Sequence, residues 1–117
     1  METYAIVRPE HLNHHGYLFG GVMLKWIDEF AWLAATLDYP DSTFVTVAMD
    51  DIEFKKRVTN GSILRFDIKY IKKGNSSVTY QVNVFAKETK ISPENFLAFS
   101  TKITFVNIDK YGKPQSI

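Results

Sequence analysis

One helix, apolar around most of its circumference, stands alone in a chain that otherwise reads as strand. The helix spans about residues 21 or 22 to 37. At about 100° per residue, Lys25, Glu29 and Thr36 fall in one narrow polar sector. Val22, Met23, Leu24, Trp26, Ile27, Phe30, Ala31, Leu33, Ala34, Ala35 and Leu37 fill most of the rest. A helix this apolar is largely buried. One flat sheet cannot cover all of it, so a wrapping sheet or a second subunit is required. The run Asp38-Tyr39-Pro40-Asp41-Ser42 ends the helix.

Strand patterning brackets this helix. Residues 3–8 alternate loosely and stop at Pro9. In residues 43–54, Val45, Val47 and Met49 share one parity, and Ile52 and Phe54 share the other. The switch near Asp50-Asp51 predicts a bulge or bend. Strands follow at 63–71, at 77–86 with Val78, Tyr80, Val82 and Val84 on one face, and at 96–106. Lys72-Lys73-Gly74-Asn75 is a turn, and residues 87–95 form a charged loop containing Pro93. The expected class is α+β, with the later strands as an antiparallel meander and the helix over one face.

Composition narrows the function classes. The 117 residues, 45% apolar, make one domain with an ordinary core. No cysteine is present, which excludes disulfides, thiolate nucleophiles and cysteine zinc sites. A formal charge of +1 gives no footprint for nucleic acid. There is no apolar run of roughly 18 residues for a membrane span. Met1-Glu2-Thr3-Tyr4 lacks the basic-then-apolar pattern of a secretion signal, so the expected location is cytoplasmic.

The chemistry gathers where Asn13-His14-His15-Gly16-Tyr17-Leu18-Phe19-Gly20-Gly21 enters the helix. Two glycines at a helix start leave backbone N–H groups uncovered, free to grip an oxygen bearing negative charge. In a hydrolase such groups stabilise the oxyanion that develops at a carbonyl, helped by the helix field. Asp28, two turns on, lies outside the polar sector beside Leu24, Ala31, Trp32 and Ala35. A carboxylate there costs free energy unless it is paired or hydrogen-bonded. It either acts on water or a bound ester, or faces solvent or a neighbouring chain at the helix edge. Asn13 either orients water or a carbonyl or simply forms a turn. His11, His14 and His15 sit in a loop without a metal-binding frame, and Asp50, Asp51 and Glu53 lack a calcium-loop frame, so no metal site is expected. On their own Lys55, Lys56 and Arg57 read as a solvated basic loop, and Ser76 as a turn cap.

Four ordered blocks carry a resemblance. They are Asn13-x-x-Gly16-x-Leu18-Phe19-Gly20-Gly21 with Trp26-Ile27-Asp28-Glu29; Val45-Thr46-Val47-Ala48 with Ile52-x-Phe54 and Val58-x-x-Gly61; Gly74-Asn75-Ser76-Ser77-Val78; and Thr104-Phe105-Val106-x-Ile108-Asp109-x-x-Gly112-Lys113-Pro114. Over nearly its full length the chain resembles the hot-dog-fold acyl-CoA thioesterases, the group of bacterial short-chain acyl-CoA hydrolases and brain acyl-CoA hydrolase. The resemblance implies a long central helix wrapped by a curved antiparallel sheet of about five strands. It implies hydrolysis of acyl-CoA to a carboxylic acid and coenzyme A, with no separate cofactor. It implies a homodimer with sites at the interface, and a trimer of dimers is common in the group. Asn13 matches the active-site asparagine, Gly20 the N–H that polarises the thioester carbonyl, and Asp28 the general base or nucleophile. Asn13 and Asp28 of one chain need not serve the same site. Gly21, Lys56, Arg57, Ser76 and Ser77 are the expected coenzyme A contacts, although the family usually has proline where Arg57 stands. Phe19, Trp26, Phe30, Trp32 and Phe54 are candidates for closing an acyl tunnel. The alternative is a non-catalytic acyl-CoA-binding or regulatory module on the same fold.

Overall fold

The computed structural model describes residues 1–88 and 94–117. Strand β1 (Glu2–Ile6) is followed by a 3-10 turn (Pro9–His11) that Pro9 opens. Helix α1 is Gly20–Asp38, and then come β2 (Phe44–Phe54), β3 (Ile63–Lys73), β4 (Ser77–Lys87) and β5 (Asn95–Asn107). The expected class and helix hold, within a residue or two at each end. The core of the loop expected around Pro93, residues 89–93, lies outside the described residues.

The five strands form one antiparallel sheet in the order β1-β3-β4-β5-β2. Only β3, β4 and β5 form the expected meander. β2 does not pair with β3 but crosses to the far edge beside β5, and β1 takes the place next to β3. The eight residues between β2 and β3 explain the crossing, because they are too many for a tight hairpin. They are also tied elsewhere: Leu18 N–H donates to Val58 O at 2.8 Å, Val7 N–H to Ser62 O at 2.9 Å, and Gly61 N–H to Val7 O at 2.8 Å.

β2 carries two bulges, not one. Its register against β5 shifts between Thr46 and Ala48 and again between Asp50 and Glu53, with Asp51 at φ 54°. The second is the irregularity read at Asp50-Asp51. The first separates Val45 and Met49, which the sequence parity had placed on one face. Thr46 lies opposite Phe105 and Met49 opposite Ile103, both fully buried, so Thr46 and Met49 face the helix.

The helix packs against β2, β3, β4 and β5. Ile27, Ala31 and Ala35 are fully buried against a sheet face that includes Phe66, Val82, Val84, Phe99 and Ile103. Each large side chain buried this way is worth roughly 1.5–3 kcal/mol relative to exposure. The opposite flank stays bare, with Trp32 and Leu33 each 39% exposed and Leu37 74%. Thr36 departs from the polar sector assigned to it: its Oγ1 is buried and has no partner among the described residues.

Candidate active site

Residues 11–19 fold into a small closed loop. Leu12 and Leu18 form a bridge, Asn13 N–H donates to Tyr17 O at 2.7 Å, and Gly16 N–H donates to Asn13 O at 3.0 Å. Gly16 takes φ 83°, which a side chain would strain. Asn13 organises this turn with its side-chain oxygen, which accepts from His15 N–H at 2.9 Å and Tyr17 N–H at 3.2 Å. Two donors on Oδ1 fix the amide orientation. The Nδ2 group then remains a donor, and it has no acceptor among the described residues. Asn13 is therefore a turn former that still offers one hydrogen-bond donor.

Phe19 N–H donates to His11 O at 2.9 Å, which sets the entry into α1. Phe19 is the N-cap residue and gives no side-chain cap, and no acidic residue lies in the first turn. Val22 and Met23 donate to Phe19 O, whereas the N–H groups of Gly20 and Gly21 find no acceptor among the described residues. The positive end of the helix is left open to an anion or a polarised carbonyl. Each glycine leaves room for an aromatic ring. A Cβ on Gly20 would meet the Phe54 ring at 3.3 Å, and one on Gly21 would meet the Phe19 ring at 2.8 Å.

A cleft of about 620 Å³ opens here. Asn13 and Gly20 line it together with Lys55, Lys56 and Arg57, and its apolar wall comes from Leu18, Met23, Phe54, Val58 and Phe99. Lys55 is held by Glu53 at 2.7 Å. Lys56 Nζ sits 5.2 Å from the Phe96 ring centre, and the Arg57 guanidinium 5.1 Å from that of Tyr17. Among the described residues Lys56 and Arg57 have no carboxylate partner. Two uncompensated cations held by rings at a cleft mouth suit a phosphate-bearing ligand.

The remaining expected residues lie elsewhere in the protomer. Asp28 is half-buried on the flank of α1 facing β2, where Thr46 Oγ1 donates to its Oδ1 at 2.5 Å. It does not line the cleft. Gly21 adjoins the cleft without lining it. Ser76 and Ser77 belong to the β3–β4 turn, where Ser77 lies opposite Val106. The cleft receives Ala98 and Phe99 from the other end of β5, so these serines sit at the opposite end of the sheet. His11 has a packing role: its Nδ1 accepts Arg8 N–H at 3.0 Å, and its ring meets Trp26 edge-on at 4.8 Å. The sequence reading missed Tyr17 as the rest for Arg57, and missed Ala98 and Phe99. Tyr17 lay inside the singled-out run, but β5 reads as ordinary core strand.

The chain and its fold have known counterparts. Residues 15–92 match the thioesterase superfamily. An uncharacterised acyl-CoA thioester hydrolase of Bacillus subtilis is 33% identical over 108 residues, covering 92% of this chain and 62% of that protein. This chain thus spans under two thirds of that relative's length. The hexameric hot-dog-fold thioesterase of Campylobacter jejuni superposes with a TM-score of 0.87 at 29% identity, covering 98% of this chain and 87% of that one. The acyl-CoA hydrolase of Staphylococcus aureus, solved with butyryl coenzyme A and coenzyme A, gives 0.84 at 30% identity, covering 99% and 70%. Variants of that hydrolase with one aspartate or one asparagine changed to alanine are also solved. Those two positions are fifteen apart in its chain, the interval that separates Asn13 from Asp28 here. With the family pattern running through the loop, the helix start and the sheet that carry the cleft, this hot-dog-fold chain belongs to the thioesterase superfamily.

Proposed function

We propose that this chain hydrolyses acyl-CoA thioesters to a carboxylic acid and free coenzyme A. The observation that carries the reading is one cleft lined by Asn13, by Gly20 at the uncapped start of α1, and by Lys56 and Arg57. The thioester carbonyl oxygen sits at the Gly20 N–H, where the helix field favours developing negative charge. Asn13 Nδ2 donates to the attacking water or to the carbonyl. The coenzyme A phosphates meet Lys56 and Arg57, next to Gly21.

The carboxylate comes from a second copy. The partner subunit's Asp28 either takes a proton from water as it attacks the carbonyl carbon, or attacks directly and leaves an anhydride that water then opens. In both routes the thiolate of coenzyme A departs and is protonated. Three features support an interface site: Asp28 lies outside its own cleft, β2 is an edge strand with Val47 55% exposed, and Trp32, on the flank of α1 beside it, is 39% exposed. Pairing through β2 would also bring Ser76 and Ser77 of the partner subunit toward the nucleotide. The working unit in this reading is a homodimer, three of which form a hexamer like that of the Campylobacter relative. No metal or separate cofactor takes part. No helix among the described residues is long and apolar enough to cross a membrane. We place the activity in the cytoplasm, where a chain without cysteine has no disulfide to lose.

The test is free-thiol release from a panel of acyl-CoAs, with and without a chelator, for wild type and Asp28→Asn. Wild type should release thiol irrespective of chelation, and D28N should lose a factor on the order of 10²–10⁴ in kcat. Near-normal turnover by folded D28N would sink the carboxylate assignment.

A further inference from the structure

Five aromatic side chains are near enough to the helix and β2 to close an acyl tunnel, and the structure separates them. Trp26 packs on His11 and Phe66, and Phe30 meets Phe66 at 4.9 Å, so both belong to the core side. Trp32 Nε1 donates to Phe44 O at 3.1 Å on the bare flank of α1. Phe19 lies over Gly21, outside the cleft wall. Of the five, Phe54 alone lines the cleft.

Its placement is built, not incidental. Met49 faces the helix, so plain alternation along β2 would turn Phe54 to the outer face of the sheet. The bulge at Asp51 adds the extra residue that turns it back inward, opposite the fully buried Phe99. The two rings then meet edge to face with centres 4.7 Å apart. On its other side the Phe54 ring lies against Gly20, at the helical turn that offers its free N–H groups. Phe54 nonetheless remains 62% exposed.

We propose that Phe54 sets the acyl-chain length this site accepts. The proposal rests on the thioesterase reading above. With the carbonyl oxygen at the Gly20 N–H, the first carbons of the acyl group must pass the Phe54 ring. The ring fills space between Gly20 and Phe99 that a longer chain would need. The wild-type site therefore favours short acyl groups, and removing the ring opens the apolar wall of Met23, Val58 and Phe99 to longer ones. In an apolar pocket, one methylene more or fewer changes kcat/KM by roughly 10- to 200-fold, so the loss of a phenyl ring is readily measured.

The experiment measures kcat/KM for acetyl-, butyryl-, octanoyl- and palmitoyl-CoA with wild type, Phe54→Ala and Phe54→Leu. The expected result is a rise of about tenfold or more in the palmitoyl-to-butyryl ratio for F54A, with F54L in between. An unchanged ratio, or an equal loss for every ester, overturns the proposal while leaving the hydrolase reading intact. No thiol release by wild type from any ester overturns both. Thermal melts accompany each variant, and F54L carries the test if F54A does not fold.

Discussion

The two ends of α1 are finished in opposite ways. At its start Phe19 gives no side-chain cap and two glycines stand where an acid would serve stability, beside a cleft that Gly20 lines. At its end two hydrogen bonds close the helix, although the buried Thr36 Oγ1 has no partner among the described residues. Tyr39 N–H donates to Ala35 O at 2.9 Å, and the Tyr80 hydroxyl donates to Asp38 Oδ2 at 2.7 Å. Asp38 is poorly placed on its own account, since the C-terminal end of a helix is negative. The fully buried Tyr80 rescues it by supplying a proton from the middle of β4. On the proposed function, the unsatisfied end is the one kept for a ligand, and the end closed with a buried hydroxyl is the one kept for the fold.

This contrast can be broken from the open end first. Gly20→Ala adds a methyl that must push the Phe54 ring by a few tenths of an ångström. It should lower kcat/KM by a factor on the order of 10², because small displacements at the reacting centre are costly. Its melting temperature should stay near wild type, since alanine suits a helix better than glycine. A large fall in Tm with activity preserved would invert the comparison.

Tyr80→Phe attacks the closed end. It should cost about 1–2 kcal/mol, or roughly 4 °C in Tm, and leave kcat/KM unchanged. The same hydroxyl predicts a pH response. Burial, then the hydrogen bond to Asp38, raises its pKa well above the ordinary value of 10.0. The unfolded chain therefore gives up this proton first. The stability tied to Tyr80 is complete below pH 10 and declines as pH rises beyond it. Denaturant midpoints from pH 8 to 11 should fall less steeply in Y80F than in wild type.

The smallest effect belongs to the rim. Arg57→Ala should raise KM for acyl-CoA a few-fold at low salt with kcat unchanged, and the difference should shrink near 0.5 M salt as screening removes it. A loss in kcat would mean that Arg57 reaches the reacting centre.

Much of this was readable before the fold was known. The apolar helix, the glycine pair and the irregularity at Asp50-Asp51 are local signals, and local chemistry decides them. What escaped was long-range. Nothing in the alternation of β2 says which strand it will pair with, because an apolar face fits any curved neighbour. The bulge between Thr46 and Ala48 carries no glycine or proline to announce it. Asn13 and Asp28 look like partners in the sequence, yet they lie apart in one protomer because the helix carries Asp28 two turns away from the cleft. Ala98 and Phe99 reach the site only through the crossing of β2 to the β5 edge.

The turn at Asn13 has a consequence for how the protein ages. The turn uses only the side-chain oxygen, and an aspartate would supply the same atom. Deamidation to aspartate at this position would exchange the free amide N–H groups for a negative charge while keeping the oxygen that shapes the loop. On the proposed mechanism an old preparation would then melt like a fresh one, run more acidic by one charge, and have lost activity.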